Sequence, residues 1–229
     1  MRFETWEPVY RRILDDFGFE RADDEASRDL LASVTEPFDH TKLAFLNGAT
    51  VAICGAGPNL AEELDATRDA DAVVAASTAA DVCLDAGIDV DLLVTDLDKN
   101  PETARALTEA GVPVAAHAHG DNRHLVGDVV PTFDPEWTLP TTQAAPTPPV
   151  ENFGGFTDGD RAAFLADHFG AATLRFVGWD FDDPSVDPMK RRKLVWAERL
   201  CYWLEQRRGE RFALLDGRRD VIDTSVLPR

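Results

Sequence analysis

Lysine is scarce in this chain: Lys42, Lys99, Lys190 and Lys193 are its only four, against 42 Asp and Glu, and arginine supplies the other basic side chains. The formal net charge of −19 excludes a general affinity for nucleic-acid backbone or for an anionic membrane, because both would repel such a surface. A nucleotide ligand is not excluded, since a local basic cluster can hold a small phosphate, as can a metal that acidic residues attract. Cysteine is scarce too. Cys54, Cys83 and Cys201 are odd in number, far apart and set among apolar residues, so they indicate small buried thiols rather than a disulfide framework or a CxxC metal site. No apolar run approaches the roughly 18 residues that a membrane span needs. Met1-Arg2-Phe3-Glu4 lacks the pattern of a signal peptide, and a soluble, cytoplasmic chain is expected. Asp-rich, Lys-poor surfaces are similar to those of proteins from salt-accumulating organisms, which makes a halophilic habitat an expectation.

What is present points to an α/β fold. Trp6, Val9, Tyr10, Ile13, Leu14 and Phe17 recur at helical spacing up to Gly18, and a second short stripe from Ser27 to Val34 ends before Pro37. Residues 1–45 are therefore expected to form an N-terminal helical cap on a catalytic domain spanning 46–229. From Thr50 the pattern changes to short apolar runs alternating with helical stretches. The strand candidates are Val51–Cys54, Ala72–Ala75, Leu92–Val94, Val114–Ala116 and Leu174–Val177. Strand then helix, repeated, predicts a mostly parallel sheet with helices on both faces and a ligand site at the C-terminal strand edge. Pro131–Pro149, rich in Pro and Thr, is expected to be an irregular excursion. A C-terminal amphipathic helix over Met189–Arg207 and a hairpin-like pair of short strands between Arg211 and Val221 complete the prediction.

Five segments carry candidate chemistry. Gly55-Ala56-Gly57-Pro58-Asn59-Leu60 follows a strand and opens a helix, where backbone N–H groups can cradle a phosphate; a tight turn with no ligand is the equal alternative. In Thr95-Asp96-Leu97-Asp98, an extended chain would put both aspartates on one side. Their mutual repulsion, about 1 kcal/mol in water at contact distance, becomes affinity for a divalent cation. Mg²⁺, which takes one or two carboxylates and shares phosphate oxygens, suits the pair; a solvated acidic loop is the alternative. His117-Ala118-His119-Gly120-Asp121-Asn122 departs from the zinc pattern HxHxDH at Asn122 and offers phosphate donors, a further metal ligand or a base, unless it is merely a polar turn. Gly154-Gly155-Phe156-Thr157-Asp158-Gly159-Asp160-Arg161 leads into a helix that Thr157 or Asp158 would cap, with Thr157 and Arg161 as secondary phosphate contacts. Lys190-Arg191-Arg192-Lys193 is the one dense basic run, either a solvated helix face or a clamp on a triphosphate.

Taken in order, GAGPNL, VTDLD, HAHGDN, GFTDGDRA and KRRKL resemble the archaeal 6-hydroxymethyl-7,8-dihydropterin diphosphokinase family over about residues 47–196. The stretch from Ala72 to Asp98, with Gly87-Ile88 before the metal loop, is also similar to the catalytic domain of thiamine pyrophosphokinases. The resemblance implies Mg²⁺-dependent transfer of the terminal diphosphate of ATP to a pterin hydroxyl, releasing AMP. It implies Asp96 and Asp98 as metal ligands, with Asp121 as a further ligand or base. Gly55, Gly57, Asn59 and Thr95 would then serve nucleotide or phosphate, while His119, Asn122 and Lys190, Arg191, Arg192 and Lys193 neutralise charge. Trp179 would stack on the pterin or pack in the core. One departure is Lys99, where a small residue is expected; it either alters metal access or adds a phosphate contact. Rival readings are transfer to another hydroxymethyl heterocycle, a zinc hydrolase and a non-catalytic nucleotide-binding module. The implied partners are ATP and the pterin, with a homodimer left open.

The halophile expectation is checked by thermal unfolding. The midpoint should rise by several degrees between 0.1 and 2 M KCl as like charges are screened, and a midpoint indifferent to salt would remove the basis for that habitat.

Overall fold

The computed structural model describes residues 1–228, and the five predicted strands are present as β1 (Thr50–Cys54), β2 (Ala72–Ala76), β3 (Leu92–Thr95), β4 (Val114–Ala118) and a later strand, Thr173–Val177. A further strand, β5 (Thr138–Thr142), precedes the last, which becomes β6. The sheet runs β5-β4-β3-β2-β1-β6 with every neighbouring pair parallel. Consecutive side chains serve opposite faces, as the pleat requires: Val51 and Ile53 join one apolar cluster, Ala52 and Cys54 the other. Burial on both faces explains why these strands read as unbroken apolar runs rather than as alternating ones.

Helices cover each face. Trp6, Phe164 and Trp196, from α1 (Phe3–Phe17), a helix over Asp158–His168 and another over Pro188–Arg208, fill the first cluster. The second takes Leu31 from α2 (Arg21–Val34), Leu60 from the one-turn α3 (Leu60–Glu63), Cys83 from α4 (Ala79–Asp85), Leu107 from α5 (Pro101–Glu109) and Val126 from α6 (Arg123–Val129). The helices over Asp158–His168 and Pro188–Arg208 are thus α7 and α8. Residues 1–45 contribute to both clusters, and Trp6 Nε1 donates to the Gln143 carbonyl at 2.9 Å, just beyond β5. Gly18, at φ 70°, ends α1 by returning its N–H to Leu14, a left-handed position that glycine adopts without strain.

Two expectations are corrected. The Pro/Thr-rich stretch is not wholly irregular, because Thr138–Thr142 pairs along β4. Pro140, which has no N–H, is tolerated because β5 lies at the sheet edge. The tail between Arg211 and Val221 forms two 3₁₀ turns, Ala213–Leu215 and Arg219–Val221, instead of short strands. Glu205, buried on α8, accepts from Phe212 N at 2.6 Å and from both Nε and Nη2 of Arg219, and this clasp curls the segment back on the helix.

Truncating Trp6, which is fully buried, to Ala should cost about 3–5 kcal/mol in urea denaturation. A loss below about 1 kcal/mol would show that α1 is not part of the core.

Candidate active site

Parallel strands end together, so the loops after all six gather at one edge, where they enclose a cleft of about 600 Å³, a volume suited to small-molecule ligands. Of the residues predicted for the site, Gly55, Gly57, Asp96, Asp98, His119, Asp121, Thr157, Arg161, Lys190 and Lys193 line it. Asn59, Thr95, Asn122, Arg191 and Arg192 do not.

The loop after β3 does not stay extended. Leu97 turns left-handed at φ 72° with its side chain buried, and Thr95 Oγ1 accepts its N–H at 3.0 Å. Asp96 and Asp98 flank this apolar plug, and the carboxyl group of each perturbs the other. Burial pushes Asp98 up, as does the charge of Asp96. Burial also opposes ionisation of Asp96, yet hydrogen bonds from His119 and Asp98 hold it well below the usual carboxylate range. Asp96 Oδ2 lies 3.5 Å from His119 Nε2, whereas its Oδ1 is buried with no hydrogen-bond partner. An orphaned carboxylate oxygen beside a second carboxylate fits a divalent cation. Lys99 Nζ sits 3.2 Å from Asp98 Oδ2.

Asn122, expected among the phosphate donors, is buried and structural. Its amide donates to the carbonyls of Asp96 at 2.8 Å and His117 at 2.7 Å and accepts from His119 N at 2.9 Å, so it fastens the β3 and β4 loops together. His117 is also buried, its Nδ1 3.0 Å from Thr141 Oγ1, and burial keeps it neutral well below its ordinary value. No group of three or more His, Cys, Asp or Glu donors is arranged to hold a metal among the described residues. The zinc pattern is therefore not assembled, and Asp121 does not join the aspartate pair as a third ligand in such a group.

The glycine loop works differently from the expected phosphate cradle. Gly55 N donates to Val177 O and Gly57 N to Gly178 O, both at 2.9 Å, so neither N–H is free. A Cβ on Gly57 would come within 2.6 Å of Gly178 O, and one on Gly55 within 3.0 Å of the Trp179 ring. These glycines permit the close approach of the β1 and β6 loops that shapes the cleft wall. Asn59 secures that wall through Glu63 Oε1 at 2.6 Å. Trp179 both lines the cleft and packs inward, donating to Ile53 O at 2.9 Å.

Thr157 and Asp160 cap α7 reciprocally: Asp160 Oδ2 accepts from Thr157 N at 3.0 Å and from its hydroxyl at 2.6 Å. Asp158, one position into the helix, accepts from Arg161 Nη1 at 2.9 Å. Burial and the nearby Asp96 charge push Asp158 up to about 7, against the pull of Arg161. The basic run divides by helical periodicity. Lys190 and Lys193, three apart, face the cleft, while the Arg192 guanidinium lies 4.5 Å over Phe17 and donates to Asp16 O, stapling α8 to α1. Arg191 is exposed on the outer side.

Residues 28–185 match the family described as MptE-like, 6-hydroxymethylpterin diphosphokinase. The chain belongs to this family. Proteins named 6-hydroxymethyl-7,8-dihydropterin pyrophosphokinase from Methanothermobacter thermautotrophicus and Pyrococcus furiosus are each 35% identical to it, over 90% of this chain and 96% of the former and over 99% and 100% for the latter. The one from Methanocaldococcus jannaschii is 32% identical over 90% of this chain and 97% of its own.

Sequence reasoning missed the cleft wall made by Phe19, Asp23 and Asp24 beyond α1, together with Ser77, Thr78, Gln143 and the segment from Asp180 to Asp187. Ser77, at φ 51°, is with Leu97 one of two non-glycine residues in the left-handed region among the described residues. Both follow strand ends at the cleft, where backbone strain tends to concentrate. The sequence marked Asp158 only as an alternative to Thr157 for the N-cap, and the structure gives that position to Thr157.

Asp158 generates a pH test in the unliganded, metal-free protein. An acid whose folded value is about 7 against an unfolded value near 4 contributes stability that is fully present below pH 4 and is lost as pH rises through 7. The urea midpoint should fall more between pH 5 and 8 in wild type than in Asp158→Asn; equal falls would contradict the assignment.

Proposed function

We propose that the cleft transfers the terminal diphosphate of ATP to the hydroxymethyl oxygen of 6-hydroxymethyl-7,8-dihydropterin, releasing AMP, as a step in folate- or methanopterin-type pterin biosynthesis. The observation that carries the reading is the Asp96 and Asp98 pair with its orphaned oxygen, in a chain about one third identical to proteins named for this activity. Asp96 and Asp98 would hold Mg²⁺, which when bound supplies positive charge to the phosphates. In the transfer, the pterin hydroxyl oxygen attacks the β-phosphorus, a new O–P bond forms, the bond from that phosphorus to the α,β-bridging oxygen breaks, and the hydroxyl proton leaves.

The rest of the work is positioning and electrostatics. His119 and Lys99 flank the acidic pair, and with Lys190 and Lys193, which line the same cleft, they offset charge on the transferring group. Asp121, exposed at the rim, serves as base for the pterin proton. Arg161 is tied to Asp158 and Gln143 and fixes the wall rather than meeting phosphate. No described helix is long and apolar enough to cross a membrane, in keeping with small, water-borne substrates.

Incubation with ATP, Mg²⁺ and the dihydropterin should yield AMP, and EDTA should stop it. Asp96→Asn and Asp98→Asn should each lower turnover by about two to three orders of magnitude, the scale for loss of a transition-state electrostatic contact, with melting temperature little changed. Wild-type turnover in either variant would sink the mechanism.

A further inference from the structure

The cleft lining is of two kinds: Ser77, Asp96 and His119 are polar, whereas Phe19, Phe156, Trp179 and Phe181 are aromatic. Asp158 belongs to the same lining. It follows Phe156 and Thr157, feels the charge of Asp96, and precedes Gly159, whose backbone presses on the Trp179 ring so closely that a Cβ would lie 2.7 Å from it. Its carboxylate is only 11% exposed, and its single protein hydrogen bond among the described residues is the one from Arg161 Nη1 to Oδ1. A carboxylate has about four acceptor positions, so Oδ2 and the remaining lone pair of Oδ1 are available.

The carboxylate is also held still. Arg161 Nη2 donates to Gln143 Oε1 at 3.1 Å, and Gln143 Nε2 donates to Asp24 Oδ2 at 2.8 Å. Asp24 accepts in addition from Tyr10 Oη and Gly120 N, each at 2.7 Å. This buried chain leads from α1 to the cleft, with every Asp24 oxygen satisfied and Asp158 left as the terminal, open acceptor. The diphosphate transfer as derived does not use it.

We infer that Asp158 is the specificity residue for the heterocycle: its carboxylate accepts from the ring N–H and the adjacent 2-amino group of a 2-amino-4-oxo pyrimidine edge, while the fused ring packs against the aromatic side chains of the cleft. This rests on the proposed function and deepens it. Paired N–H donors match a carboxylate in two-point geometry, which gives direction as well as affinity. A 2-oxo ring would bring an oxygen against the carboxylate in place of the amino group, and sites built to receive an N–H discriminate strongly against analogues that lack it. Anchoring that edge points the hydroxymethyl group, at the opposite end of the fused ring, away from Asp158.

The test is a fluorescence titration with 6-hydroxymethylpterin and its 2-oxo counterpart, 6-hydroxymethyllumazine, in the presence of Mg²⁺ without nucleotide. Wild type should bind the 2-amino ring at least tenfold more tightly. Asp158→Asn should lose at least tenfold in affinity for it and most of the preference, with affinity for a fluorescent ATP analogue unchanged. Equal binding of both rings by wild type overturns the assignment whether or not the variant folds, as does a variant that keeps its preference or loses nucleotide affinity instead. The two readings fail separately: selective binding without AMP formation sinks the diphosphokinase and supports Asp158, whereas turnover without 2-amino selectivity does the reverse.

Discussion

Two carboxylates held side by side at the end of a buried strand repel each other, and much of the cleft's construction exists to keep them there. Leu97 plugs into the core between them, Thr95 closes the turn, and Asn122 ties the backbone of Asp96 to the neighbouring strand. His119 stabilises the charge on Asp96 while Lys99 attends Asp98. On the proposed function, a bound cation offsets this repulsion and serves phosphate chemistry.

The same constraint reconciles an acidic protein with an anionic substrate. The few cations that face the cleft are placed where the sheet edge and α8 converge, so that a charge of −19 over the whole chain does not decide the local field. On the proposed function, a long-range negative potential would slow the approach of free ATP, whereas a metal-bound nucleotide would carry less charge and meet a surface that attracts its metal. The N-terminal helices are part of this arrangement. Through Tyr10, Asp24 and Gln143 they steady Arg161, and residues between α1 and α2 form one wall of the cleft.

Much of this was legible in the residues themselves. Strands β1 to β4 are apolar runs because both of their faces are covered, and the position of Asp96 and Asp98 after such a run already indicates a sheet-edge site. β5 was hidden because its pattern, Thr-Leu-Pro-Thr-Thr, lies at the sheet edge and contains a residue that cannot donate. The fate of Gly55 and Gly57 was hidden for another reason: their N–H groups are taken by carbonyls more than a hundred residues away, and no local spacing announces a partner at that distance. Lys190 and Lys193 could be separated from Arg191 and Arg192 by helical period alone, once one face of α8 was known to meet the cleft. The Arg161, Gln143 and Asp24 chain joins three distant segments and left no trace in local spacing.

Attack at the β-phosphorus distinguishes this account from ordinary kinase chemistry on the same substrates. Mass spectrometry of the products formed from ATP and 6-hydroxymethyl-7,8-dihydropterin should show AMP and the pterin diphosphate in equal amounts, with no ADP. Accumulation of ADP together with a pterin monophosphate would contradict it.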